Sequence, residues 1–381
     1  MSVGAAGATG AAAGTAGAAE AAAAMTLGTE PAAGTSVAAA TIPATDPGGP
    51  DAEGALALIR GYLDEKRPGE ALRVVPLSGD ASTRRYYRLV DGGRSEVLAL
   101  YPEAFVPAEL TYLTVRALLV EYGLPVPATI DVDGARGVVL QEDLGDRTLQ
   151  EVLKGTGDGE RDELYREAVD EIALLQLRAA SGPQKADCFR IAFDIEKLTW
   201  ELHYFLKHFV EGHRGCDLTV EDRATLSEAF HELGHEIASW PRVLCHRDYH
   251  SRNLMQQRDR LYWIDFQDAR MGPTTYDLAS LLRDAYVDVP QELQEELAER
   301  FRQKATPDEP LDVFRRRFDL TCVQRNLKAL GTFGFMARVR NNPVYLPYIP
   351  RSLAHARHNL SRYPQLERLW RTLARHVPEL G

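Results

Sequence analysis

The chain has 381 residues, with 44 Lys and Arg against 55 Asp and Glu, a formal net charge of -11, and 45% hydrophobic residues. That composition suits two structural units, or one bilobal enzyme, and excludes fibrous, disulfide-scaffold and mostly disordered classes for the bulk of the chain. The acidic total argues against wholesale nucleic-acid binding, and no apolar run approaches the ~20 residues that span a bilayer.

Residues 1–50 are compositionally separate: 28 are Ala or Gly, three are acidic, and none is Lys or Arg. A signal peptide needs a positive start and an apolar centre, which this segment lacks; with interspersed Gly, Thr and Pro and no large apolar side chains to bury, it is expected to be disordered. Met25 is an alternative start. The four cysteines, Cys188, Cys216, Cys245 and Cys322, form no CxxC pair. A zinc knuckle is therefore not expected, and free thiols suit a reducing, cytoplasmic compartment.

Helical patterning begins near Asp51, with Leu56, Ile59, Tyr62 and Leu63 on one face. Residues 74–90 read as strand, polar loop, strand, and Val97 to Tyr101 as a third strand. Leu110 to Tyr122 has helical spacing and stops at Gly123, before Pro125 and Pro127. A further strand pair is expected at 128–132 and 137–140, followed by a hinge at 141–146. Leu164, Ala168, Ile172, Leu175 and Ala179 then form a helical stripe, and most of the remaining chain is helix-like. The expected class is α+β, with a small antiparallel-sheet lobe at 51–141 and a larger helical lobe at 142–381.

Within the helical part, Val243-Leu244-Cys245 opens into His246-Arg247-Asp248-Tyr249-His250-Ser251-Arg252-Asn253. In phosphoryl transfer, an Asp in this HRDxxxxN spacing accepts the proton of the attacking hydroxyl, and the Asn five residues on holds magnesium. A second apolar strand, Leu261 to Ile264, ends in Asp265-Phe266, where another magnesium carboxylate is expected. The two strands are expected to present Asp248, Asn253 and Asp265 at one edge. Each residue alone reads equally as a loop former or cap; their order together points to chemistry. His246 is expected to order the loop by hydrogen bonds rather than serve as a base.

The segments SGDASTRRYYRL at 78–89, LQEDLGDRTL at 140–149, CHRDYHSRNLM at 245–255 and WIDFQDARMGPTTYDLASLLRDAYV at 263–287 resemble the aminoglycoside phosphotransferase and choline kinase superfamily, closest to the branch of anomeric N-acetylmuramate/N-acetylglucosamine kinases. The resemblance covers roughly residues 76–282. It implies a bilobal protein-kinase-like fold, with ATP as co-substrate and Mg2+. It also implies Asp248 as catalytic base, Asn253 and Asp265 as metal ligands, and Asp277 as a buried brace for the catalytic loop.

The resemblance places the loop Gly79 to Arg84 over the ATP phosphates, where Ser82 and Thr83 can donate to phosphate oxygens and Arg84 can neutralise charge. A bare hairpin tip would look similar. Adenine is expected on main-chain groups near Glu142 and Leu144. The strand that carries a lysine in protein kinases reads Leu98-Ala99-Leu100-Tyr101 here. Arg84, Arg85 or the metal would have to supply that charge.

For the acceptor, Trp200, Glu201, His203 and Arg252 are candidates to line a sugar cleft, although aromatics at helical spacing also build cores. Residues 311–381 hold 13 Lys and Arg against 4 Asp and Glu. This leans toward an anionic sugar such as N-acetylmuramate; solvated helix faces or pairing with the acidic middle would explain it equally. The expected function is an ATP- and magnesium-dependent sugar kinase with no nucleic-acid or membrane partner. The alternatives are an aminoglycoside, choline-like or other metabolite kinase, and a nucleotide-binding pseudokinase.

Overall fold

The computed structural model describes residues 52–77 and 84–381. The leader at 1–50, expected to be disordered, and Ser82 and Thr83 lie outside the described residues. The described chain forms two compact units, residues 52–107 with 128–143, and residues 108–127 with 144–381. The segment 108–127 thus belongs to the second unit, whereas the sequence suggested one continuous stretch at 51–141.

Among its described residues, the first unit is one helix on one sheet. Helix α1 spans Ala52–Lys66, and strands β1 (Arg73–Leu77), β2 (Arg85–Asp91), β3 (Arg94–Leu100), β4 (Thr129–Asp133) and β5 (Val138–Glu142) pair antiparallel in the order β1-β2-β3-β5-β4. Period-two alternation sends Tyr87 and Leu89 inward from β2. They meet Leu98, Leu100, Val138 and Leu140 from the sheet, and Ala55, Ile59 and Tyr62 one turn apart on α1. Each large apolar side chain buried there contributes about 1.5–3 kcal/mol. The Tyr62 hydroxyl donates to Asp131 Oδ2 at 2.8 Å, which fixes α1 over β4.

The second unit is mostly helical. Helix α2 (Thr111–Glu121) ends at Gly123, whose φ of +76° suits the left-handed stop that glycine tolerates. Tyr112 of α2 stacks on Phe266 at 5.1 Å between ring centroids, and the Trp263 amide donates to Pro125 O at 2.7 Å. These contacts explain why 108–127 groups with the second unit.

Next come α3 (Leu149–Leu153), α4 (Asp158–Ser181), α5 (Ile195–Phe205), a π-helical continuation at Leu206–His213, and α6 (Val220–Ala238). Thr148, Asp194 and Thr219 cap α3, α5 and α6 by accepting from the amide three residues on.

Four short strands follow, β6 (Arg242–Cys245), β7 (Leu254–Gln257), β8 (Arg260–Trp263) and β9 (Arg270–Pro273). The two strands expected from sequence, at 243–245 and 261–264, are not partners: β6 pairs with β9 and β7 with β8. Strands of four residues give too little alternation to read, so β7 and β9 went unrecognised.

Helices α7 (Tyr276–Leu282), α8 (Gln291–Ala305), α9 (Leu311–Arg338), α10 (Ile349–Leu360) and α11 (Glu367–His376) complete the unit. Helix α9 touches α5, the π-helical segment, α7 and α10. Its approach to α5 depends on glycine: a Cβ at Gly331 would stand 2.7 Å from Phe205 Cα, and one at Gly334 would overlap His208 O. Among the described residues no helix is long and apolar enough to cross a membrane.

Candidate active site

The loop 246–253 leaves β6 and enters β7, and its path is set by carboxylates and main-chain amides. Asp277, in the first turn of α7, accepts from His246 N at 2.6 Å and Arg247 N at 2.9 Å. Asp284 accepts from Ser251 N at 2.9 Å. His246 Nε2 lies 3.0 Å from Ile264 O, and burial lowers its pKa to about 4. The ring is therefore neutral at pH 7 and donates through Nε2, a loop-ordering geometry.

Two residues here adopt positive φ without being glycine. Arg247 has φ +85° and Asp265 φ +61°, conformations that cost about 1–3 kcal/mol each and persist only when the surroundings impose them. Those surroundings are visible for Arg247. Its amide is held by Asp277, its carbonyl accepts from Arg325 Nη1 at 2.9 Å, and its guanidinium lies near Asp268 Oδ2 at 3.1 Å and Asp248 Oδ2 at 3.7 Å.

The register of β7 with β8 brings the ends of the motif together. Leu254 pairs with Trp263, so Asn253 immediately precedes the pair and Ile264 immediately follows it. The Ile264 amide donates to Asn253 O at 3.0 Å, and Asp265 is the next residue. Asn253 Nδ2 donates to Asp248 O at 2.9 Å. With its amide nitrogen tied down, the fully buried Asn253 presents Oδ1 without a hydrogen-bond donor. Gln267 Nε2 donates to Asp265 Oδ1 at 2.7 Å.

An acceptor oxygen on Asn253 and a neighbouring carboxylate fit magnesium, which takes few protein ligands and completes its shell with phosphate and water oxygens. Among the described residues, no group of three His, Cys, Asp or Glu could hold a metal alone.

Asp248 is buried and surrounded by cations. Lys328 Nζ lies 3.4 Å from Oδ1, Arg247 Nε 3.7 Å from Oδ2, and Arg325 Nη2 4.0 Å from Oδ1. Burial pushes its pKa up, but Lys328, Arg247 and Arg325 outweigh that and hold it well below the usual carboxylate range. Burial lowers Lys328 to about 8, with Asp248 opposing the shift. Burial raises Asp277 to about 7 against its two amide donors.

The sequence reading missed Lys328 and Arg325. The available signal was polar residues on several faces of a long, otherwise apolar helix, Thr321, Gln324, Arg325, Asn326 and Lys328, all mostly buried. The excess of basic residues over 311–381 drew attention instead, and much of it is consumed in ion pairs: Arg316 with Glu236, Arg317 with Glu309, Arg362 with Asp319, Arg368 with Glu228 and Arg375 with Asp222. That weakens it as an indicator of an anionic ligand.

The acceptor candidates separate in the structure. Residues 200, 201 and 203 point in different directions because each step along a helix turns ~100°. Glu201 is buried and accepts from Gln324 Nε2 of α9 at 2.7 Å. Trp200 is partly exposed, with Lys197 Nζ 4.5 Å over its ring. His203 packs edge-on against Phe230 of α6, with centroids 5.5 Å apart. Arg252 is buried over the rings of Tyr286 and Tyr345, at 4.8 and 5.6 Å.

In the first unit, the Arg84 guanidinium lies 5.8 Å from the Tyr101 ring. Glu142 ends β5, where its Oε2 accepts from Ala128 N at 3.1 Å and its own amide donates to Ala128 O at 2.8 Å, so both groups are engaged with Ala128. Leu144 is buried within the second unit.

Residues 73–313 match the family model described as "Phosphotransferase enzyme family". An N-acetylmuramate/N-acetylglucosamine kinase of Pseudomonas aeruginosa is 34% identical over 308 residues, covering 79% of this chain and 88% of that protein. A Neisseria meningitidis protein of the same name is 31% identical over 325 residues, covering 84% of this chain and 95% of its own. Among solved structures, a choline/ethanolamine kinase family protein from Mesorhizobium loti aligns with a TM-score of 0.54 at 17% identity, over 86% of this chain and 99% of that one. That likeness concerns the fold.

Proposed function

The chain belongs to the phosphotransferase enzyme family, and from that premise we propose that it is an ATP- and magnesium-dependent kinase for the anomeric hydroxyl of N-acetylmuramate or N-acetylglucosamine. The names of its relatives over most of their length support the acceptor. The observation that carries the chemistry is the buried loop that holds the Asp248 carboxylate ionised among three cations and ties Asn253 both to the Asp248 main chain and to Ile264, the residue before Asp265. The use of ATP suits a cytoplasmic setting.

In this reading the acceptor hydroxyl donates to the Asp248 carboxylate, which orients it and takes its proton as the oxygen attacks the γ-phosphorus of ATP; the bond to the β-phosphate oxygen breaks and ADP leaves. A base whose pKa is held this low works mainly by orientation, and the proton moves late, as suits a loose transition state. Asn253 Oδ1 and the Asp265 carboxylate would hold magnesium, which screens phosphate charge when bound. Asp277 keeps the loop in place through two amides. Ser82, Thr83 and Arg84 would contact the phosphates, and main-chain groups near Glu142 and Leu144 the adenine. Glu201, Trp200, His203 and Arg252 remain the acceptor-side candidates.

The test is an acceptor panel with γ-labelled ATP, holding N-acetylmuramate, N-acetylglucosamine, their 1-deoxy analogues, an aminoglycoside and choline. Label in the two amino sugars but not in the 1-deoxy compounds supports the reading; label only in an aminoglycoside or choline overturns the acceptor assignment. Tyr101 in place of a strand lysine favours a second reading, a nucleotide-binding pseudokinase. A nucleotide-dependent thermal shift without transfer to any acceptor would select it.

A further inference from the structure

We infer that Lys328 is a second catalytic residue, an ammonium on α9 that binds the reacting hydroxyl and the incoming phosphoryl oxygen alongside Asp248. The inference rests on the kinase reading above and adds a group which that reading does not contain.

Geometry comes first. Lys328 Nζ lies 3.4 Å from Asp248 Oδ1, so an oxygen hydrogen-bonded to that carboxylate on the side of Nζ can also reach the ammonium. A lysine ammonium has three N–H donors, and Asp248 is the one hydrogen-bond acceptor recorded for it among the described residues, at a long distance. Donors remain for a ligand oxygen. Gly331, one turn further along α9, lets the helix backbone meet that of α5 at Phe205.

Charge comes second. Lys328 is the foremost of the three cations that hold Asp248 ionised, ahead of Arg247 and Arg325, and its place beside Oδ1 sets it facing whatever that carboxylate binds. A buried ammonium costs several kcal/mol unless its environment repays it. Negative charge spreading over the transferred phosphoryl group would do so, and donors placed where charge develops act on the rate rather than on ground-state binding. Atoms balance simply. The oxygen–phosphorus bond forms, the γ-phosphorus to bridging-oxygen bond breaks with its electrons passing to ADP, the hydroxyl proton goes to Asp248, and Lys328 keeps its own protons.

The groups facing Lys328 are Asp248 and Arg247 of the loop, Glu201 of α5, and Arg325 of its own helix. Burial lowers Lys328 to about 8 despite both carboxylates. The ammonium is therefore present below that pH and lost above it.

The test uses full-length wild type, Asp248→Asn, Lys328→Met and Lys328→Arg, with ATP, magnesium and N-acetylglucosamine, from about pH 6 to about pH 10. Lys328→Met is expected to lower kcat about 100-fold, with an acceptor KM change of less than about three-fold. Wild-type kcat should fall above about pH 8. Lys328→Arg should regain part of the lost rate and move that limb upward, because a guanidinium stays charged. A Lys328→Met enzyme that keeps more than about half of kcat, or an unmoved limb in Lys328→Arg, overturns the inference. Thermal melts with ATP and magnesium report folding; if the Met variant unfolds, the Arg variant decides through its pH limb. Wild-type turnover that survives Asp248→Asn overturns the reading of the site and this inference with it. Turnover lost in Asp248→Asn but intact in Lys328→Met removes Lys328 alone.

Discussion

Asn253 Nδ2 donates to the main-chain oxygen of Asp248 at 2.9 Å, which closes the loop on itself and fixes the direction of Asn253 Oδ1. Asn253→Ala should therefore remove a metal donor and loosen the Asp248 backbone together. The expected result is a fall in kcat of at least about 100-fold, with a magnesium optimum displaced to higher concentration. A magnesium titration of initial rates checks it; an unchanged optimum would remove the metal role.

Asp265→Ala should abolish turnover at saturating ATP, and chelation with EDTA should do the same reversibly in the wild type. Magnesium should restore the wild type and leave the variant inactive. Binding of ATP without metal, read by thermal shift, should be nearly equal in the two proteins.

Replacing Asp277 tests the brace. Asn there offers one acceptor where two amides at 2.6 and 2.9 Å are now satisfied. One buried N–H is left without a partner, a loss of about 1–3 kcal/mol. Urea melts should show that loss, and kcat should fall more than about ten-fold because the His246–Arg247 backbone is displaced.

Gly331→Ala places a methyl 2.7 Å from Phe205 Cα and 2.9 Å from its N, so the obstacle is backbone and cannot swing aside. Overpacking of this kind costs about 1–3 kcal/mol. Because α9 carries Lys328 and Arg325, the variant should lose activity at temperatures where circular dichroism still reports a folded chain.

Acid stability carries a sign. His355 has its pKa lowered to about 3, first by burial and then by Arg283 and Arg351. Between that value and about 6.5 the unfolded chain binds a proton that the folded one refuses. The contribution is zero above about pH 6.5, and stability is lost as pH falls below it, by about 1.4 kcal/mol per unit. Denaturant melts from about pH 7 to about pH 5 should show a shallower decline in His355→Gln than in the wild type.

How far the sequence discloses this molecule depends on the range of the interactions involved. Elements with several periods of pattern, such as the sheet strands at 73–77 and 85–91 and the helix at 111–121, were readable. Asp248, Asn253 and Asp265 could be singled out as candidates because turn chemistry and spacing are local, and their roles are those proposed above. The pairing of β6 with β9 was not readable, since four residues carry no register. Nor was the role of α9: Lys328 is 80 residues from Asp248, and only the packed structure brings them together. The scatter of Trp200, Glu201 and His203 around α5 follows from helical geometry, but which direction faces the loop depends on where α9 lies.

The left-handed backbone at Arg247 carries a consequence for how such an enzyme fails. The Arg247 conformation is imposed from outside, by Asp277 on its amide and Arg325 on its carbonyl, so a modest weakening of that scaffold lets this residue revert first. On warming, catalysis should fade ahead of melting, and a mutation distant from the loop can silence the enzyme while leaving it abundant and well folded.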